Sequence, residues 1–388
     1  MIGLPTSLSL ESTSQRSSIS TPTSATSRIG NKFPRIINFC SFDMTFQHFL
    51  QPKLSFPVLS EVENTALEKY EEQITLNGCP VIYSVSHFAA LVGHTVDFIY
   101  GVTNKPSKFY RTFAIQKKSG FGSREISAPL PNLMIVQRFI LHKILNHIKV
   151  DDSAKAFKKK SSIKDAARLH RRQKILLKCD VKNFFGSIEE WRIISIFFAV
   201  GYTKELSIVL AKLCTLNGFL PQGAPTSGSL SNILLISFDR KMLKFCKRLG
   251  LRYTRYADDI CISGERLNTT DVFAFVGKLL ADYGLVLNPK KNRVLRQNNR
   301  MIVVGIVVNE KMSAPKELRQ SVRQEFYYIK KYGLHEHCSR NSFRSPEYEL
   351  ERLIGQISHI ENISFRKEKF LEMRNYLLDL RMKHFAIR

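Results

Sequence analysis

A single tryptophan, seven cysteines without a CxxC pair, and 33 acidic side chains against 59 basic ones are the scarcities of this 388-residue chain. The cysteines (Cys40, Cys79, Cys179, Cys214, Cys246, Cys261 and Cys338) are scattered, with no His/Cys cluster at zinc-ligand spacing, and read as reduced thiols. No apolar run approaches the roughly 18 residues that span a bilayer, since Ile194 to Val200 is short and soon meets polar residues, so no membrane insertion is expected. The N-terminal MIGLPTSLSLESTSQRSS has no basic flank ahead of an apolar segment, so it does not read as a secretory signal, and a cytoplasmic chain is expected. Neither GxxxxGK[ST] nor HExxH occurs, which removes the P-loop and zincin readings.

What is abundant is positive charge, a formal +26. An excess of that size points to a polyanionic partner, because releasing counterions from phosphates is what a broad basic surface exploits, and nucleic acid is the natural candidate. With 44% hydrophobic and 11% aromatic residues there is enough apolar matter for sizeable cores in about two to three structural units. Residues 1–43 are the exception: Ser and Thr dominate, and such a stretch buries too little apolar surface to offset its ordering entropy, so a disordered tail is expected. Met44 opens the first well-patterned segment, which leaves open whether translation begins there.

Residues 44–104 carry a mostly helical pattern, broken between Gly101 and Pro106. Tyr110 to Lys118 alternates, turns at Gly120/Gly122, and continues from Arg124, which predicts a basic hairpin. Pro131 precedes a helix with Leu133, Val136, Ile140 and Ile144 on its apolar face. Lys174 to Val181 is a short buried strand ending in Asp180, followed by a helix from Trp191 to Val200. Leu220-Pro-Gln-Gly-Ala-Pro is a turn leading into a helix through Leu230 to Lys244. Leu251 to Ser263 alternates on both sides of an acidic turn and predicts a hairpin with Asp258 and Asp259 at its tip. A helix from Thr269 to Tyr283 and a strand pair over Val294 to Val308 complete the alternating region, and beyond Pro315 the chain is helical and basic.

Nucleotidyl transfer needs a nucleophilic 3′-oxygen and neutralisation of a triphosphate, and two divalent ions roughly 4 Å apart can supply both. Hard dications want oxygen ligands, which Asp180 and Asp258 could offer from neighbouring strand ends. An Asp-Asp pair alone is most often a solvated turn. Here Tyr256-Ala-Asp-Asp259 follows Cys179-Asp-Val-Lys-Asn-Phe-Phe185 and Leu220-Pro-Gln-Gly-Ala-Pro-Thr-Ser227 in order, and over about residues 105–310 the sequence resembles the reverse transcriptases, in particular the bacterial retron enzymes. Asp165-Ala-Ala-Arg-Leu-His170 is similar to the retron Asn-Ala-x-x-His element, though without its asparagine, and Val303-Val-Gly305 stands where retron enzymes read Val-Thr-Gly.

The resemblance implies an α+β right-hand polymerase: fingers over 105–175, a ferredoxin-like antiparallel palm over 176–308 with inserted finger elements, and a helical basic thumb over 309–388. It implies that Asp180, Asp258 and Asp259 bind two Mg²⁺ ions, with Mn²⁺ a possible substitute, and that Lys118 and Arg124 grip the incoming dNTP triphosphate. Phe185 falls where the family blocks a ribose 2′-hydroxyl, though ordinary core packing also fits an aromatic there. Gln222 and Gly223 match the loop behind the nucleotide and template, and Lys291 resembles the lysine proposed to protonate pyrophosphate, or is a solvated loop lysine. The lysines 155, 158, 159 and 160, with Arg168, Arg171 and Arg172, form a cluster that could track a template backbone. Arg319, Arg323, Lys330 and Lys331, with nearby aromatics, are expected to hold RNA. The implied role is a retron enzyme of the bacterial cytoplasm that copies a structured noncoding RNA, serving as template and primer, into single-stranded DNA. Antiphage defence beside a separate effector protein is part of that expectation. Another bacterial defence or intron-type reverse transcriptase, a metal-dependent nuclease, and a non-catalytic RNA-binding scaffold remain open alternatives.

Overall fold

The structure, a computed structural model, describes residues 61–116, 122–340, 345–365 and 367–385. The expected tail 1–43, Met44 and Lys118 lie outside the described residues.

Helices α1 (Glu61–Leu76), α2 (Val85–Leu91) and α3 (Val96–Asn104) precede a hairpin of β1 (Tyr110–Gln116) and β2 (Ser123–Pro129), registered from Tyr110 opposite Pro129 to Gln116 opposite Ser123. Pro131 occupies the first turn of α4 (Pro131–Phe139), where its fixed φ suits a helix start and its missing N–H costs nothing. The helix widens into a π-helical turn at Ile140–Ile144, and all four residues of the expected apolar face are fully buried. Ser162 and Asp165 form a reciprocal capping box at the start of α5 (Ile163–Leu169).

The palm then assembles from β3 (Ile175–Asp180), α6 (Glu190–Val200), α7 (Lys204–Cys214), α8 (Ser227–Leu234), α9 (Ile236–Arg248), β4 (Arg252–Tyr256), β5 (Asp259–Gly264), α10 (Thr269–Ala281) and β6 (Arg293–Arg296). Its four strands lie in the order β4-β5-β3-β6, each pair antiparallel, which is the ferredoxin-like arrangement expected. Two element readings need correction. The helix read through Leu230 to Lys244 is two helices that meet at Leu235. The strand pair read over Val294 to Val308 is three strands: β6 joins the palm beside β3, while β7 (Ile302–Val303) and β8 (Ile306–Val307) form a separate hairpin across Val304 and Gly305, both at positive φ. A continuous apolar run does not reveal which strand partners it will find.

Strand alternation sends neighbouring residues to opposite faces, and both faces of this sheet are buried. Leu177, Cys179, Tyr253, Ile260 and Ile262 join the larger core, whereas Leu176 and Cys261 join a second core shared with α5 and the C-terminal helices. Those helices are α11 (Lys316–Tyr332), α12 (Leu334–Arg340), α13 (Pro346–Ile363) and α14 (Glu368–Phe385). The six described cysteines are all buried and unpaired.

On the second face His170 is fully buried, with Nδ1 2.7 Å from Ser263 Oγ and Nε2 2.8 Å from Thr254 Oγ1, so one ring bridges β4 and β5. Burial pushes its pKa down to about 3, with the Arg252 charge adding to the effect. The unfolded chain therefore binds a proton near pH 6.5 that the folded chain refuses. Stability from this group is complete above pH 6.5 and falls by about 1.4 kcal/mol per unit as pH drops towards 3. Urea denaturation of wild type and His170→Gln should show the wild-type advantage shrinking by about 2 kcal/mol between pH 7 and pH 5. A gap independent of pH would mean that the imidazole is not held neutral.

Candidate active site

Asp180 ends β3 and stands directly opposite Asp259, the first residue of β5. Tyr256 pairs with Asp259, so Ala257 and Asp258 are the two-residue tip of the β4-β5 hairpin, and Ala257 takes the left-handed conformation at φ 57° that such a tight connection needs. The Val181 N–H donates to the Asp258 carbonyl at 3.2 Å, which fixes the tip against the end of β3. Three carboxylates are thereby gathered at one end of the sheet by backbone register.

Their electrostatics are those of a cation site. The pKa of Asp258 is raised, first by burial and then by the charges of Asp180 and Asp259. Lys291 Nζ donates to Asp180 Oδ2 at 2.9 Å, the Asn288 amide donates to Asp180 Oδ1 at 3.3 Å, and the Asn288 backbone N–H donates to the Asp180 carbonyl at 2.7 Å. Lys178 Nζ lies 3.5 Å from Asp259 Oδ2. The three carboxylates offer hard oxygen donors held together with a lysine on each flank, a donor set that fits a divalent cation.

Asp180, Asp258, Lys291, Arg124, Phe185 and Gln222 line one cleft of about 620 Å³. Arg124 enters from the fingers hairpin, because the Ser127 N–H donates to the Gln222 carbonyl at 2.8 Å and ties β2 to the palm loop. Gly223 does not line the cleft. It sits at φ 130°, where a Cβ would lie 2.8 Å from the Ser127 carbonyl oxygen, so glycine is required for the close approach to β2. Arg319, Arg323, Lys330 and Lys331 lie away from the cleft lining, along α11. There Arg323 covers Phe370, Lys330 covers Tyr376, and Lys331 covers Tyr327 and Tyr332.

Sequence reasoning missed Asn288 and Lys178. Asn288 belongs to the same Leu287-Asn-Pro-Lys-Lys segment as Lys291 and could have been found with it. It also missed a fully buried cluster behind the tip. Arg255 Nε and Nη2 donate to the two Asp239 oxygens at 2.9 and 2.6 Å, and Tyr253 Oη donates to Asp239 Oδ1 at 2.6 Å. Arg255 Nη1 donates to Asn232 Oδ1 at 3.1 Å and to the Ala257 carbonyl at 3.3 Å. Its signal was an acid on the apolar stripe of α9, among Phe238, Met242 and Cys246. Elsewhere, Glu325, His337 and Glu349 bring three ligand-type atoms within 4.8 Å, but Arg352 pairs with both glutamates, so that group is held by a guanidinium.

A ferredoxin-like sheet with carboxylates gathered at one end, beside a cleft that Arg124 enters from a hairpin, has the architecture of a right-hand polymerase. Residues 115–310 match the family model for reverse transcriptase (RNA-dependent DNA polymerase), and the chain belongs to that family. It is 32% identical over 277 residues to the retron Mx65 reverse transcriptase of Myxococcus xanthus, covering 65% of this chain and 64% of that one. It is 28% identical over 265 residues to the retron Ec86 reverse transcriptase of Escherichia coli, covering 68% and 79%. The chain thus spans less than two thirds of the length of the Myxococcus relative. Among solved structures, telomerase from Candida albicans in complex with a fragment of telomeric RNA covers 73% of this chain and 69% of that one, at 13% identity and a TM-score of 0.38.

Proposed function

We propose that this chain is the RNA-directed DNA polymerase of a retron, copying a structured noncoding RNA into single-stranded DNA from dNTPs. The observation that carries the reading is the gathering of Asp180, Asp258 and Asp259 at one sheet end, beside a cleft that Arg124, Phe185, Gln222 and Lys291 share. Similarity to retron enzymes from two bacteria supports the retron assignment. In this reading residues 105–175 act as fingers, 176–308 as palm and 309–388 as thumb.

Asp180, Asp258 and Asp259 would hold two Mg²⁺ ions, for which Mn²⁺ could substitute. Bound there, the ions would supply charge neutralisation for the triphosphate and activation for the primer 3′-oxygen. Arg124 offers a guanidinium fork to the phosphates, a role the reading extends to Lys118 on its sequence alone. Phe185 closes the sugar side of the cleft against a 2′-hydroxyl. Lys291, which donates to Asp180 at 2.9 Å, is the proton donor this reading assigns to the leaving pyrophosphate. Arg319, Arg323, Lys330 and Lys331 hold RNA through the basic, aromatic face of α11. No described helix is long and apolar enough to cross a membrane, and action in the bacterial cytoplasm is part of this reading. The antiphage role and the separate effector protein belong to the same reading.

The test is primer extension on RNA by purified protein with dNTPs and Mg²⁺, with the copurifying nucleic acid sequenced. RNA-linked DNA in that fraction would support the retron assignment, and extension without it would favour another reverse transcriptase class. RNA binding without extension on any template would favour the scaffold.

A further inference from the structure

Beside the nucleotide cleft lies a second concavity, of about 370 Å³, lined by Asn146, Lys149, Lys158, Lys159 and Phe157 among others. Phe157 is unusual in three respects. The residue is 56% exposed although it belongs to a chain segment that is otherwise well anchored. Its backbone sits at φ 53°, a conformation a non-glycine residue keeps only when its surroundings hold it there. Its ring stands directly over the backbone of α8, because a Cβ added at Gly228 would lie 2.4 Å from the ring's Cγ.

The anchoring is specific and leads back to the catalytic hairpin. Asn232 Nδ2 donates to the Ala156 carbonyl at 2.7 Å, the Lys155 N–H donates to the Arg255 carbonyl at 2.8 Å, and the Arg255 N–H donates to the Ser153 carbonyl at 2.9 Å. The Ser161 hydroxyl closes the loop on the Lys155 carbonyl at 3.0 Å. Residues 153–157 are therefore fixed to the strand that carries Asp258 at its tip. Phe157 and Phe185 have ring centroids 6.1 Å apart, Phe185 lining the nucleotide cleft and Phe157 the basic one. The two rings form a partition between a site for one nucleotide and a cleft suited to a polyanion.

An exposed aromatic ring on a rigid loop, flanked by cations, is how proteins hold single-stranded nucleic acid: bases stack on the ring while lysines follow the phosphates. Lys149 and Lys159 supply the charge in the lining, with Lys155 and Lys160 close by in sequence, whereas Lys158 is already paired with Asp152. In templated synthesis, the strand that must lie next to the incoming nucleotide with its base unpaired is the template. We infer that Phe157 is the stacking platform for the unpaired template base beside the nucleotide cleft, and that the adjoining lysines carry that strand's phosphates. The inference rests on the polymerase reading and adds to it the place where the template enters.

The test is a binding measurement in the full chain carrying Asp258→Asn, so that no chemistry intervenes. The probe is a primer annealed to an RNA template with 2-aminopurine at the first unpaired template position, compared with the same duplex made blunt. Phe157→Ala should weaken binding of the overhanging template about tenfold and release the 2-aminopurine quench, with blunt duplex bound as before. Phe157→Trp should retain both, and Gly228→Ala, which displaces the ring without removing it, should reproduce the loss. Unchanged overhang affinity and quench in Phe157→Ala would overturn the inference. So would intact template binding together with a fall in dNTP-over-rNTP selectivity in the otherwise wild-type chain, since the ring would then merely brace Phe185. Because binding is read apart from extension, a chain that never extends a primer sinks the polymerase reading through a different measurement.

Discussion

Asparagine at Asp258 is expected to lower primer extension by about a thousandfold or more, the order expected when a metal contributing several kcal/mol of transition-state stabilisation is lost. The same change should leave the fold intact. Asp258 meets Val181 through its backbone carbonyl, which the substitution keeps, and only the side-chain charge disappears. That charge is unfavourable in the metal-free chain, where burial and the neighbouring Asp180 and Asp259 raise its pKa. Neutralising it relieves repulsion, so thermal stability without divalent ions should be equal or slightly higher, while the stabilisation gained on adding Mg²⁺ should shrink. Opposite signs for stability and activity separate a metal-ligand carboxylate from a merely structural one. Extension above a tenth of wild type in Asp258→Asn would remove the carboxylate from the chemistry.

The elements that the sequence made legible are those whose signal is local. The Asp180 strand, the basic hairpin from Tyr110 and the hairpin that carries Asp258 each have their pattern in one continuous stretch, and each forms, although the tip expected at Asp258 and Asp259 is Ala257 and Asp258, with Asp259 already the first residue of β5. Asp180 and Asp258 meeting at one sheet end is non-local, but two strands with acids at their ends leave few ways to pair. The β6 strand was misassigned because its partner, β3, lies far away in sequence, and nothing in Val294 to Val308 says which of its pieces will join the palm. His170 shows a different limit. Its place in a retron-like element drew notice, yet its burial between β4 and β5 depends on Thr254 and Ser263 facing the same side of the sheet. Gly223 is expected to permit close approach of a ligand, and the close neighbour the structure shows is the Ser127 carbonyl. In both cases the residue type was informative and its partner was not.

The Arg255–Asp239 cluster provides the second large effect, and a double substitution separates its two roles. Both side chains are out of solvent, so Arg255→Met alone leaves a buried carboxylate with only the Tyr253 hydroxyl and should cost about 3–5 kcal/mol of stability. Arg255→Met with Asp239→Leu removes both charges together, and well-packed apolar replacements of a buried pair are often neutral or stabilising, so most of that loss should return. Activity should not return with it. Arg255 Nη1 also donates to the Ala257 carbonyl, at the left-handed residue beside Asp258, and to Asn232, which holds the 153–157 loop. No methionine can make those bonds. With the tip held by one fewer contact, Asp258 loses its fixed position relative to Asp180, and a displacement near 1 Å is enough to slow a positioned reaction by about a hundredfold. The measurement is chemical denaturation and primer extension on the wild type, the single variant and the double variant. Recovery of stability without recovery of the extension rate at saturating dNTP assigns Arg255 to holding the catalytic tip, whereas joint recovery makes the cluster a packing element alone.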